Sequence, residues 1–199
     1  MRKIDPAKHE ARRQHILKAA LACFSAKGFH RTSTAEICAE AGMSPGNLFH
    51  YFPNKQAIIA AIVDAERADT VAYFSDALKA DDLFAELLGF MELVLGLAAD
   101  PAYARLVLDI SVEAMRDAEI GERVARADGE LRAALRTLIA EAGARGQVDR
   151  AIDPEAAARW VAALIDGIFG RVAVEPAFRP KEEAGMLRLI LARFLGPRS

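Results

Sequence analysis

Residues 33–55 read STAEICAEAGMSPGNLFHYFPNK, and this stretch decides the fold. Ser33 or Thr34 caps a helix of about eight residues, with Glu36 and Ile37 in its first turn. Gly42 supplies a tight turn. Ser44 is placed to cap a second helix, and Pro45 takes its first position, where a missing N–H costs nothing. Pro53-Asn54 ends that helix. Two short helices joined by a glycine-containing turn form the unit whose second helix fits the major groove of DNA.

Advancing about 100° per residue along the second helix divides it into two arcs. Leu48, Phe49 and Phe52 fall on a buried arc, and Gly46, Asn47, His50 and Tyr51 on an outward one. Gly46 lets backbone approach a partner closely. Asn47 can form paired hydrogen bonds with adenine, and His50 can donate or accept at a base edge. Tyr51 and Lys55 suit phosphate oxygens. Thr34, at the start of the first helix, offers a hydroxyl and backbone N–H groups to another phosphate. The DNA-contact set is therefore Ser33, Thr34, Ser44, Pro45, Gly46, Asn47, His50, Tyr51 and Lys55. The alternative is an ordinary solvated face. Against it stands the absence of any Asp or Glu between Met43 and Lys55.

The charge distribution agrees. The 199 residues carry a net charge of −2. Residues 1–55 hold nine Lys/Arg (Arg2, Lys3, Lys8, Arg12, Arg13, Lys18, Lys27, Arg31, Lys55) against four acids (Asp5, Glu10, Glu36, Glu40), a balance of +5. The remainder stands at −7. A basic head on an acidic body directs a polyanion to the head alone.

Outside the opening stretch, apolar residues recur at three and four, runs with period two are missing, and 53% of residues are hydrophobic. This predicts an all-α chain of about nine helices with a sizeable core. A first helix over residues 7–27 ends at Gly28. After the two short helices, further ones are expected over 55–78, 83–98, 101–117, 120–144, 154–174 and 181–195, punctuated by Pro and Gly. The expected organisation is a helix-turn-helix domain over 1–54 and a larger domain over 55–199, with the helix after residue 55 shared across the junction.

At Thr34, Ile37, Ala41-Gly42, Ser44-Pro45-Gly46-Asn47-Leu48, Phe49-His50-Tyr51-Phe52 and Lys55 the chain resembles the TetR family of transcriptional regulators. The resemblance covers about 50 residues. It departs at Phe49, where the family commonly has Tyr with a phosphate-holding hydroxyl; the contact then passes to Tyr51. The resemblance implies a double-stranded DNA operator, a C-terminal domain sensing a small-molecule effector, and a homodimer built on the last two helices. The tracts Ala163-Leu164-Ile165-Asp166-Gly167-Ile168 and Asp153-Pro154-Glu155-Ala156-Ala157-Ala158 are similar to the choline-responsive branch.

For the dimer interface, Trp160, Leu164, Gly167, Ile168, Leu187 and Leu191 are the candidates, because Gly167 and Gly170 inside an apolar helix suggest close helix packing. Internal core is the alternative. Effector-binding candidates are Phe90, Met91, Leu95, Tyr103, Asp109, Glu113 and Trp160. Asp109 and Glu113 share one helix face: turned inward they favour a cationic ligand, turned outward they are a solvated pair.

Other function classes lack their residues. The four histidines, His9, His15, His30 and His50, all lie in the head, and none stands in an H-E-x-x-H arrangement. Cys23 and Cys38 have neither metal spacing nor the number for a disulfide scaffold. Nucleophile-elbow, P-loop and dinucleotide-binding glycine signatures are absent. No enzyme activity, cofactor or metal is expected. The charged N-terminus and the lack of a run of about 18 apolar residues point to a cytoplasmic protein without a membrane span.

Overall fold

Side-chain caps set nearly all the helix starts. Asp5, Ser33, Ser44, Asn54, Asp82, Asp100, Asp117 and Asp153 each accept a hydrogen bond from a first-turn backbone N–H. Each such cap contributes about 1 kcal/mol. The computed structural model describes residues 5–196; Arg2 and Lys3 of the basic head lie outside the described residues. Among the described residues the chain forms nine α-helices, one 3-10 turn and no strand. They are α1 (Pro6–Lys27), α2 (Thr34–Glu40), α3 (Pro45–Tyr51), α4 (Lys55–Ala77), α5 (Leu83–Ala98), α6 (Pro101–Ala114), α7 (Ala118–Ala144), α8 (Pro154–Val174) and α9 (Ala184–Leu195).

Two boundaries differ from the sequence expectation. Asp117 accepts from Glu119 N (3.0 Å) and Ile120 N (3.2 Å), so α7 begins at Ala118 and α6 stops at Ala114 instead of running to 117. The last helix begins three residues later than expected. Pro180–Glu183 is a 3-10 turn, and α9 emerges from it without a side-chain cap.

Two apolar clusters organise the packing. The head cluster joins Ile16, Ala20 and Phe24 of α1, Phe29, Ile37 of α2, and Leu48 and Phe52 at α3. It continues into Ile58, Ile59 and Ile62 of α4, and takes in Leu106 of α6 and Ile120 of α7. The body cluster holds Phe74 and Ala77 at the other end of α4, with Leu87, Phe90, Met91, Leu138, Val161, Leu191 and Leu195. Full burial of each large apolar side chain contributes about 1.5–3 kcal/mol. α4 thus belongs to both clusters, and α6 and α7 touch the head directly.

Candidate nucleic-acid interface and its junction with the body

The helix-turn-helix is locked by its own polar residues. Ser33 Oγ accepts from Glu36 N (3.2 Å) while Glu36 Oε2 accepts from Ser33 N (2.8 Å), a reciprocal capping box. Glu36 also pairs with Lys27. The Lys27 hydrogen bond first, and the Ser33 bonds next, pull the Glu36 carboxyl pKa down to about 2. At the far end of α2, Gly42 has φ +61°. Its N–H donates to Ala39 O (3.2 Å) and that of Met43 to Cys38 O (2.9 Å), closing the left-handed helix stop that glycine favours. Ser44 Oγ then accepts from Asn47 N (3.3 Å), with Pro45 in the first turn of α3.

On α3, Leu48 and the C-terminal Phe52 point inward and are buried. Gly46, Asn47 and His50 are exposed, as the wheel placed them; Ser33, Ser44 and Pro45 are also exposed, and Thr34 and Tyr51 are half-buried. Phe49 is a correction: it is 47% exposed, not buried. Leu48 and Phe52 set the inward direction, and Phe49 lies about 80° to one side of it. Tyr51 lies equally far to the other side, but α1 fills that space. The His9 ring stacks on Tyr51 at 4.7 Å, and the His50 ring meets Tyr51 edge-on at 5.5 Å. His9 was missed from sequence; the α1 stripe His9, Arg13, Ile16, Ala20, Phe24 carries the signal, since its last three members are core and Arg13 sits over the Phe52 ring at 5.4 Å.

Lys55 is a second correction. Its ammonium donates to Phe29 O (2.7 Å), Thr32 O (2.9 Å) and His30 O (3.4 Å), and lies 4.4 Å from the centre of the Phe29 ring. All three donors hold the α1–α2 connector, so none is left for a phosphate. Burial lowers its pKa from the ordinary lysine value, an effect that Glu113 opposes.

The same connector, together with the last turn of α1, is gripped from the body by α6. Asp109 Oδ2 accepts from Phe29 N (2.8 Å), and Arg105 Nη1 donates to Ala26 O (3.4 Å). Gly28 has φ +84°, and a Cβ there would come within 3.2 Å of Asp109 Oδ2. Glu113 is only 6% exposed; its Oε1 lies 2.8 Å from His30 Nε2 and 3.7 Å from Arg116 Nη1. Asp109 is therefore half-buried and Glu113 buried, each with a carboxylate oxygen on the α1–α2 connector. They face the head, a third possibility that a single-helix wheel does not contain.

The other effector candidates do not converge. Phe90 stacks on Phe74 (4.7 Å) and Tyr73 (5.3 Å) in the body core, and Met91 is fully buried beside them. Trp160 is 65% exposed on the outer side of α8. Tyr103 spans α6 to α4, donating to Glu66 Oε2 (2.9 Å), with its ring 6.3 Å from that of Phe169 on α8. Burial raises the pKa values of both Tyr103 and Glu66.

Among the dimer candidates, Leu164 is half-buried, Gly167 exposed, and Ile168 and Leu187 mostly buried. Leu187 and Leu191 are corrected to internal core: with Leu195 they form one stripe turned into the body. The opposite side of α9 exposes Met186, Leu189, Ile190 and Phe194. A Cβ on Gly167 or Gly170 would meet nothing within 4 Å, so close packing within the chain does not account for either glycine. Beside them lies an apolar cavity of ≈ 310 Å³, lined by Leu95, Leu164, Ile168, Met186, Leu187 and Ile190 among others.

A basic helix-turn-helix head joined through a shared helix to a larger helical body defines a DNA-binding regulator. Residues 16–62 match the family described as bacterial regulatory proteins, tetR family, and residues 85–196 match the BetI-type transcriptional repressor C-terminal family. The chain belongs to the TetR family of transcriptional regulators. It is 26% identical over 184 residues to the HTH-type transcriptional regulator UidR of Escherichia coli, covering 92% of each chain. The structure of Salmonella enterica GusR superposes with a TM-score of 0.76 at 32% identity, covering 93% of this chain and 95% of that one. The fold also matches FadR of Bacillus subtilis, solved in complex with stearoyl-CoA, with a TM-score of 0.75 at 17% identity over 93% and 99% of the two chains. These relatives are regulators, not enzymes. No described helix is long and apolar enough to cross a membrane.

Proposed function

We propose that the protein is a homodimeric repressor that binds a near-palindromic operator and is released from it by a small molecule. The observation carrying this reading is the outward face of α3: Gly46, Asn47 and His50 are exposed on a helix whose span from Met43 to Lys55 has no carboxylate. That face offers hydrogen-bonding groups to base edges, with Thr34, Ser44 and Tyr51 at phosphates; Ser33 spends its N–H and hydroxyl on Glu36, and Pro45 has no donor to offer. The working division is a DNA-binding unit over 1–54 and a sensing and dimerising unit over 55–199, in the cytoplasm. Support for the dimer comes from the apolar surface of Trp160, Leu164, Met186, Leu189 and Ile190 beside the unfilled space over Gly167. A two-fold assembly presents two α3 helices to two half-sites. The effector acts by binding one body arrangement more tightly than another, and the α6 grip on the connector carries that difference to the head. Tyr103, between α4, α6 and α8, is the effector candidate best placed to sense it. Gel-shift binding to the chain's own upstream region is the test. Asn47→Ala and His50→Ala should each lose sequence-specific binding; retention in both sinks the contact assignment, and a wild-type chain without specific, salt-dependent DNA binding sinks the reading.

A further inference from the structure

We infer that Phe49 is a specificity-determining residue that reads the 5-methyl group of a thymine in the bound DNA. The inference rests on the DNA-binding reading above. Phe49 is the only large apolar side chain exposed in the head among the described residues, at 47%. It stands on α3 between Leu48, which anchors the helix in the core, and His50, which is fully outward. Asn47 and Gly46 occupy the preceding turn on the exposed side.

The partner follows from chemistry. The base edges of the major groove are hydrogen-bond donors and acceptors, with one apolar exception, the thymine methyl. A phenyl ring has no hydrogen-bonding atom, so it cannot hold a phosphate or read any other base edge. In the free protein the ring is half in water; against a methyl group both apolar surfaces are removed from it. With no acid from Met43 to Lys55, nothing on α3 repels the DNA from the ring. On the other flank of the helix Tyr51 is held by His9; Phe49 is the flank left open to a partner.

Removing one methyl from such a contact weakens binding about fourfold. The experiment uses the full chain and a duplex selected from a random pool, with each thymine replaced in turn by deoxyuridine, which deletes only the methyl. Affinity is read by fluorescence anisotropy at fixed salt. Wild type should lose about fourfold at one thymine position per half-site. Phe49→Ala should bind the thymine and deoxyuridine duplexes equally, with an unchanged salt dependence, and Phe49→Leu should keep part of the discrimination. Phe49 is half exposed, so Phe49→Ala should lower the melting temperature by only a few degrees and Phe49→Leu by less, and circular dichroism checks that both are folded at the assay temperature. Wild type indifferent to deoxyuridine at every position overturns the assignment, as does Phe49→Ala with wild-type discrimination. In those two cases specific binding persists, and the regulator reading stands. A wild-type chain that selects no duplex overturns both.

Discussion

Lys55→Met separates two roles for one lysine. The substitution keeps an apolar stem against Phe29 and deletes the ammonium. It removes two close hydrogen bonds, to Phe29 O at 2.7 Å and Thr32 O at 2.9 Å, and a longer one to His30 O. A hydrogen bond from a charged donor contributes about 1.5–3 kcal/mol, and the placement over the Phe29 ring about 0.5–1 kcal/mol. Relief of the partly buried charge, visible in the lowered pKa, offsets part of this. The net expectation is a loss of about 2–4 kcal/mol, which for a chain of this length lowers the melting temperature by roughly 5–15 °C. Urea unfolding and thermal melts measure it. The second readout is the slope of log Kd against log salt at a temperature where both proteins are folded. A phosphate contact contributes about 0.9 to that slope; a lysine whose donors are spent on carbonyls contributes nothing. Lys55→Arg should rescue poorly, because a planar fork does not reproduce three converging bonds. A Lys55→Met protein that melts with wild type and loses about 0.9 from the slope would refute the structural role and restore the phosphate contact.

Asp109→Ala leaves Phe29 N–H without its acceptor and should destabilise by about 1.5–3 kcal/mol in urea unfolding; Asp109→Asn, which keeps an acceptor oxygen, should recover a large part. Gly42→Ala meets no atom within 4 Å but forces a side chain onto φ +61°, so a loss of about 1–2 kcal/mol is expected from backbone strain alone, again read by urea unfolding. Glu36 is held down to about 2 from its ordinary 4.5. Its contribution is therefore fully present above about pH 4.5 and lost as the pH falls toward 2. Thermal melts of wild type and Glu36→Gln should differ at pH 7 and converge in acid; a constant gap down to pH 2 contradicts the pairing.

The local signals of this sequence are strong, and the fold follows them closely. Asp and Ser caps, Pro45, Gly42 and the three- and four-residue apolar spacing act within one turn of helix, so a reader of the chain sees them directly. The site is legible to the extent that it is local. Asn47, His50 and Gly46 come out of one short wheel. Phe49 does not, because exposure at the edge of an arc depends on which neighbour arrives, and α1 arrives on the Tyr51 side only. Lys55, Asp109 and Glu113 misled for the same reason at longer range. Each contacts residues 23 to 83 positions away in sequence, and no periodicity records a partner at that distance. Leu187 and Leu191 were assigned to the wrong face because α9 is apolar on both sides, with both of them and Leu195 inward and Ile190 and Phe194 outward.

The two apolar clusters share α4, and this makes the helix a lever. Its 23 residues at about 1.5 Å each give a rod of about 35 Å. Ile58, Ile59 and Ile62 weld one end to the head, and Phe74 and Ala77 weld the other to the body. A tilt of about 5° about the body end displaces the head end of such a rod by about 3 Å, close to the ~3.4 Å spacing between stacked bases. Under the proposed function, a small rotation deep in the body would therefore shift the head by about one base step along a double helix.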